Sequence, residues 1–502
     1  MRSGAILAAT LAAASCAPPA RVAAPPSPVM TRAVFRASAD SLVNDPMFRN
    51  TNWGALILDP ATGDTIYSHN AGRLFIPASN EKLLTGATAL AQLGADYRFA
   101  THFVSSAPIV DGILRGDLLV FGHGDPSMSD AMMGDAMKPL RAAADSLRAR
   151  GVREIAGALV KGGNAFPDTT VGFGWEWEDF ETSSGAAVDE LFFNEGVSRV
   201  TVYGGEKPGD SVRVRTTPAR SVPAVVADFV TGEPASAPAA GEPRRRDGLR
   251  TTTDMRGVRP VTHLTGSVAP RDSVSATVVL RDPASAWLDA FAEALRDRGI
   301  VLRGNVIRSP AAMEPDQPRL FTLWSPPLRE ILAPFFKPSQ NQIGELLFHA
   351  LALERTGVGL PDSGRRVIER QLVTWGADTA GFAVRDGSGM SRHDYVTPET
   401  IVKILDAMRK HEQFHVFYDA LPVAGVDGTI STRMRATPAQ GNVHAKTGTV
   451  DKARSLSGYV TTADGRMLLF SFLCNNFTVT NREVERVQDA LLVKLAGAPE
   501  PR

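Results

Sequence analysis

The sequence predicts an α/β protein whose main domain is split by a strand-rich insertion. Three observations predict it. Hairpin signals stand near both ends of the chain, and helical periodicity flanks them. Between about residues 104 and 280 the pattern changes to short strand-like pieces. The 502 residues exceed what one ordinary core serves, so two or three domains are expected.

The elements follow in chain order. In the first stretch, "MRSGAILAATLAAASCAPPARVAAPPSP", one arginine precedes a short apolar run, and small residues lead to Cys16. The run is too short to span a bilayer and reads as an export signal. Ala-Ala-Ser-Cys resembles a lipoprotein cleavage box, which makes Cys16 the expected acylated residue, with simple secretion as the alternative. The Ala/Pro-rich stretch after it is an extended tether, and residues 1–33 are set apart as signal and tether. From Trp53, two apolar runs around a Pro/Gly/Asp cluster predict a hairpin. In "IPASNEKLLTGATALAQLG", Leu83, Ala87, Leu90 and Leu93 recur at helical spacing, and Gly94 suits the stop. Pro77 sits just before this helix, and Ser79 falls in its first turn.

In the middle region "ILRGDLLVFG", "SRVTVYGG", "DSVRVRTT" and "SVSATVVL" read as strands, and "MKPLRAAADSLRARG" as a helix. "TGEPASAPAAGEPRRRDG" reads as a flexible loop that leaves Arg244, Arg245 and Arg246 solvated. Further helices are expected after the Asp282 cap and Pro283, from Ser339 to about Arg355, and from about Arg482 to Leu495. "LSGYVTTADGRMLLFSFLCNN" is a hairpin turning at Asp464-Gly465. The main domain is therefore assigned to 34–103 and 281–498, and the inserted domains to 104–280.

Composition narrows the function. Lys+Arg and Asp+Glu both total 54, and this balance argues against a nucleic-acid binder. Apolar residues make up 43% and charged residues 22%, as in ordinary globular proteins. With two cysteines there is no disulfide framework, and Cys474, in an apolar strand, reads as an inert buried thiol. The nine histidines show no ligand spacing such as H-E-x-x-H. His123 reads as a loop residue, and His444 as a neighbour of Lys446 on one strand face.

Three short signals carry chemistry: Ser79-Asn80-Glu81-Lys82, Ser339-Gln340-Asn341 and Lys446-Thr447-Gly448-Thr449. Each alone is a common helix start or strand end. In this order they match the S-x-x-K, S-x-N and K-T-G trio of penicillin-binding proteins and serine β-lactamases. A serine hydroxyl needs a neighbouring base to become nucleophilic. Lys82, one helical turn from Ser79, lies on the same face, and burial together with a second cation, Lys446, would push it toward the neutral amine. Ser339 could relay a proton to the leaving amine, and Asn341 could orient the substrate amide. The Lys446 strand could pair with substrate backbone, Gly448 leaving room for close approach. Thr447 and Thr449 could hold a terminal carboxylate.

The chain resembles the class C low-molecular-mass penicillin-binding proteins, D-alanyl-D-alanine carboxypeptidase/endopeptidases. "PASNEKLLT", "GDLLVFGHGDPSM", "DELFFNEGVSRV", "DGSGMSRHDYVTP", "LPVAGVDGTISTRM" and "HAKTGTVDKARSLSGYV" carry the resemblance, which covers nearly everything after residue 34. The separation of 260 positions from Ser79 to Ser339 is far more than class A β-lactamases have there, and it must contain folded units. The resemblance implies a penicillin-recognising serine transferase/β-lactamase-like domain, an antiparallel sheet flanked by helices, with two small extra domains inserted. It implies acylation of Ser79 by the penultimate D-alanine of peptidoglycan stem peptides, and an oxyanion hole of the Ser79 and Thr449 N–H groups. β-Lactams are the implied inhibitors. Arg392 matches a position near the substrate side-chain pocket. No cofactor is implied, and the acyl-serine route needs no metal. The implied location is the periplasm or cell envelope. A β-lactamase or esterase on the same fold, and a catalytically idle wall-binding scaffold, are the competing readings.

One departure is visible. The family's aspartate that contacts the amine of a diaminopimelate side chain is expected in "GALVKGGNAFPD". Gly162 and Gly163 stand there instead, with Asn164 and Asp168 offset.

Overall fold

The structure is a computed structural model that describes residues 31–167, 171–217, 224–232, 250–254, 261–311, 318–499 and 501. The expected signal segment with Cys16, the loop 233–249 and Asp168 lie outside the described residues.

The main domain is built on a five-stranded antiparallel sheet. Its strand order is Thr65–His69, Asn52–Leu58, Met467–Asn475, Ala453–Thr461 and His444–Val450. Both hairpins expected from the sequence are in it. The strands read as near-continuous apolar runs because helices cover both faces. In Met467–Asn475, Leu469 and Leu473 face one core while Leu468, Phe470, Phe472 and Cys474 face the other. The first core holds the helix Glu81–Leu93 together with Leu328–Phe336, Asn341–Thr356 and Pro398–Lys410. The second is closed by the first helix, Arg32–Val43, and the last, Asn481–Gly497. The Lys446 strand is the sheet edge, and an isolated antiparallel bridge joins its first residue, His444, to Val423.

The inserted region forms two packed units. One is a mixed sheet ordered Val306–Ala311, Leu159–Gly162, Leu118–Gly122, Ala100–Val104 and Arg319–Trp324. The helices Met137–Ala149 and Pro283–Asp297 cover it through Leu140, Leu147, Trp287 and Phe291. The other unit packs strands Val197–Tyr203 and Ser273–Val279 against Val261–Val268 around Val200, Phe229 and Leu264.

Packing shifts the expected boundaries. Asp282 caps the helix from Pro283 as expected, its carboxylate accepting from Ser285 N at 2.9 Å. That helix joins the inserted unit's core, however, and the chain returns to the main domain only after Trp324. Periodicity shows that a helix face is buried, but not which sheet it covers. Likewise Ala100–Val104, placed in the main domain by sequence, pairs with inserted strands.

Candidate active site

Ser79 lies in a single 3₁₀ turn, Ala78–Asn80, that runs directly into the helix Glu81–Leu93. The helix is buried all round for its first ten residues, Glu81 and Lys82 included. The turn is tied once to the edge strand and once to the strand beside it. Asn80 Nδ2 donates to the Lys446 carbonyl at 2.8 Å, and Ser455 Oγ donates to the Pro77 carbonyl at 2.7 Å. Contact is close enough that a Cβ on Gly448 would lie 2.5 Å from the Pro77 carbonyl oxygen and 3.0 Å from Ser79 N. Gly448 is therefore required by the serine turn packed against it. Two residues here hold left-handed backbone, Ala78 with φ 49° and Ser339 with φ 65°. Each costs on the order of 1 kcal/mol or more, sustained by the surrounding packing.

Five of the expected residues converge. Lys82 Nζ lies 2.9 Å from Ser79 Oγ, 2.7 Å from Asn341 Oδ1 and 2.6 Å from the Ser388 carbonyl. Lys446 Nζ lies 2.7 Å from Ser339 Oγ and 2.8 Å from the Thr447 carbonyl. Around Lys82 these are two fixed acceptors and one hydroxyl able to donate, the set a neutral amine needs. Both amines are fully buried. Burial pulls the Lys82 ammonium down to about 7, against the opposing pull of Asp386, Glu345, Glu81 and Asp394. Burial, as expected, is the leading cause, and the repulsion between the two lysines shows in the lowering of Lys446. Lys446 is lowered strongly, by burial first and by Lys82 second. Burial also raises Glu345 to about 8, and raises Glu81 and Asp394 strongly.

These groups open onto a cleft of about 560 Å³ lined by Ser79, Ser339, Asn341, Thr447, Thr449 and Arg392 among others. Thr447 Oγ1 lies 2.7 Å from Thr429 Oγ1, and the Arg454 guanidinium reaches Thr449 Oγ1. Arg392 is paired with Glu176 at 3.2 Å and donates to the Asp451 carbonyl at 2.5 Å. His444 is outside this lining and stacks on Tyr418, ring centres 3.9 Å apart. His123 sits edge-on to His102 in the inserted unit.

Sequence reasoning missed several participants. Asn80, Thr429, Glu345 and Asp386 were not singled out, although three of them stand in or beside quoted motifs. Two acidic residues from "WEWEDFE", Asp179 and Glu176, also line the cleft.

A family model described as D-Ala-D-Ala carboxypeptidase 3 (S13) matches residues 35–497. The D-alanyl-D-alanine carboxypeptidase of Actinomadura sp. strain R39 is 34% identical over 92% of this chain and 84% of that protein. The D-alanyl-D-alanine carboxypeptidase DacB of Haemophilus influenzae is 26% identical over 86% of this chain and 87% of its own length. In fold, the crystal structure of penicillin-binding protein 4 from Haemophilus influenzae superposes with a TM-score of 0.77 at 23% identity, covering 92% of this chain and 99% of that one. A second structure of that protein holds a β-lactam and superposes at 0.72.

Proposed function

The chain belongs to the D-Ala-D-Ala carboxypeptidase 3 (S13) family, and from that premise we propose the chemistry of its cleft. It hydrolyses the terminal D-Ala-D-Ala bond of peptidoglycan stem peptides, and D-Ala cross-links of the same chemistry, through an acyl-enzyme on Ser79. The observation that carries this is the 2.9 Å contact between a serine hydroxyl and a buried amine whose other two partners are fixed acceptors.

The steps follow from these contacts. The Lys82 lone pair takes the Ser79 proton as Oγ attacks the penultimate carbonyl. The Ser79 and Thr449 N–H groups, with the positive field of the helix start, stabilise the oxyanion. The proton taken by Lys82 passes through Ser339, held by Lys446, to the leaving amine as the C–N bond breaks, which returns Lys82 to the neutral amine. Asn341 holds both Lys82 and the substrate amide. Thr447, Thr449 and the edge strand receive the terminal residue and its carboxylate. Water then attacks the ester with the same base, releasing the shortened peptide. A β-lactam presents the same carbonyl and carboxylate to Ser79, in keeping with the β-lactam complex of penicillin-binding protein 4.

Asp179 and Glu176 give the cleft an acidic wall suited to the side-chain amine of a stem peptide, with Arg392 answering a carboxylate beside it. Action on peptidoglycan implies an exported protein. Acylation of Cys16, followed by the Ala/Pro-rich tether, would hold it at the membrane; among the described residues no helix is long and apolar enough to cross one. The test is release of D-alanine from a stem pentapeptide. Release that disappears in Ser79→Ala supports the reading, and release that persists there overturns it.

A further inference from the structure

We infer that the segment 171–186 of the inserted region is a strap that completes the active site, with Trp175 as a positioning residue for Lys82 acting through Asp386. The inference rests on the catalytic assignment above and extends it to a part of the chain outside the three motifs.

The strap is fastened at two places. At one, Trp175 Nε1 donates to Asp386 Oδ2 at 2.9 Å, with both residues buried. At the other, the Ser184 carbonyl accepts from Asn341 Nδ2 at 3.1 Å and from Gln342 Nε2 at 3.0 Å, and the Ala186 carbonyl accepts from Gln342 Nε2 at 3.1 Å. The backbone approach is close. A Cβ on Gly174, whose φ is +74°, would lie 2.4 Å from the His393 ring and 3.1 Å from Ser391 Oγ. "GFGW" is thus a docking sequence with no room for a side chain at its second glycine.

Asp386 passes the contact on. Besides the indole, its carboxylate accepts from the backbone N–H of Ser388 at 3.1 Å, Gly389 at 2.6 Å and Ser391 at 2.7 Å. Four donors define the turn 387–391, which does two things. It sets the Ser388 carbonyl 2.6 Å from Lys82 Nζ. It also lays Gly389 against the serine turn, where a Cβ would be 1.9 Å from the Ala78 carbonyl oxygen. Loosening the indole contact therefore loosens one of the three partners of the base and the backing of the nucleophile. The charges facing Lys82 are Glu81 from its own helix, Glu345 from the Asn341 helix, Asp386 and Asp394 from the turn, and Lys446 from the edge strand. Glu176, Asp179 and Arg392 lie at the cleft mouth.

The experiment follows acylation of the full chain by a chromogenic β-lactam, separating first-order acylation from reversible binding, across pH. Trp175→Phe keeps the ring and deletes the donor. Acylation should slow about tenfold to hundredfold while reversible affinity stays within about twofold. Asp386→Asn removes a charge that raises Lys82, so the acid limb of its profile should move to lower pH, a shift that mere loosening of the fold does not produce. Gly174→Ala leaves the indole in place but lifts the strap, and should reproduce the slowing. Wild-type acylation in Gly174→Ala, or an unmoved limb in Asp386→Asn, overturns the proposal even if Trp175→Phe fails to fold. Ser79→Ala keeps the two claims apart, because an adduct formed there refutes the catalytic assignment and not the strap.

Discussion

If Lys82 is the base, acylation must follow its protonation, and the structure gives the scale. An amine at its ordinary value of 10.5 is neutral in about three molecules per ten thousand at pH 7; one pulled down to about 7 is neutral in about half. Burial thus raises the reactive fraction roughly 1,500-fold. The sign is fixed by the chemistry. The neutral amine accepts the proton, so the rate falls as pH falls through this value. Stopped-flow acylation by a chromogenic β-lactam should be flat above about pH 8 and lose about tenfold per unit below about pH 6. Because Glu345 is raised to about 8 nearby, the midpoint belongs to the cluster of Lys82 with its carboxylates and not to one group. Lys82→Arg keeps a charge that cannot be lost, and should fall by about a hundredfold to ten-thousandfold at every pH. A limb centred near pH 10, or an arginine variant that acylates at the wild-type rate, would refute the reasoning.

Other perturbations have equally definite outcomes. Gly448→Ala drives a methyl to 2.5 Å from the Pro77 carbonyl oxygen, so it should lower stability by about 1–3 kcal/mol in a denaturant titration and also slow acylation. Asn341→Ala removes the 2.7 Å partner of Lys82 and a tie to the strap; kcat for D-alanine release should drop about tenfold or more. Asp179→Asn should raise KM for a stem peptide with a free side-chain amine and leave KM unchanged for one whose amine is acetylated. Cys474 is fully buried and burial pushes its thiol far up, so a thiol reagent should label its peptide only after denaturation, as mass mapping would show.

Much of this was legible before the fold was seen, and for a physical reason. Ser79 and Lys82 are local to one helical turn, and Lys446 to one strand, so spacing alone constrains them. The hairpins at 52–69 and 453–475 announce themselves through turn residues between apolar runs. What escaped depends on segments that meet only in space. Asn80 matters because it reaches the Lys446 carbonyl, 366 residues away, and Asp386 because an indole 211 residues upstream completes its donors. The helix from Pro283 was recognised but assigned to the wrong core, since its apolar stripe is indifferent to which sheet it meets. The packing of Gly448 against the serine turn escaped for the same reason, since Pro77 and Gly448 are far apart in the chain. The acidic wall at Asp179 was missed because neighbouring carboxylates in "WEWEDFE" give no signal of which one faces a cleft.

The most direct measurement is to treat the protein with a β-lactam and map the adduct by peptide mass. The account predicts one persistent acyl group, on the hydroxyl of Ser79 in the Pro77–Thr85 stretch, formed more slowly as pH drops below 7. An adduct on any other residue, or none after prolonged exposure, would contradict it.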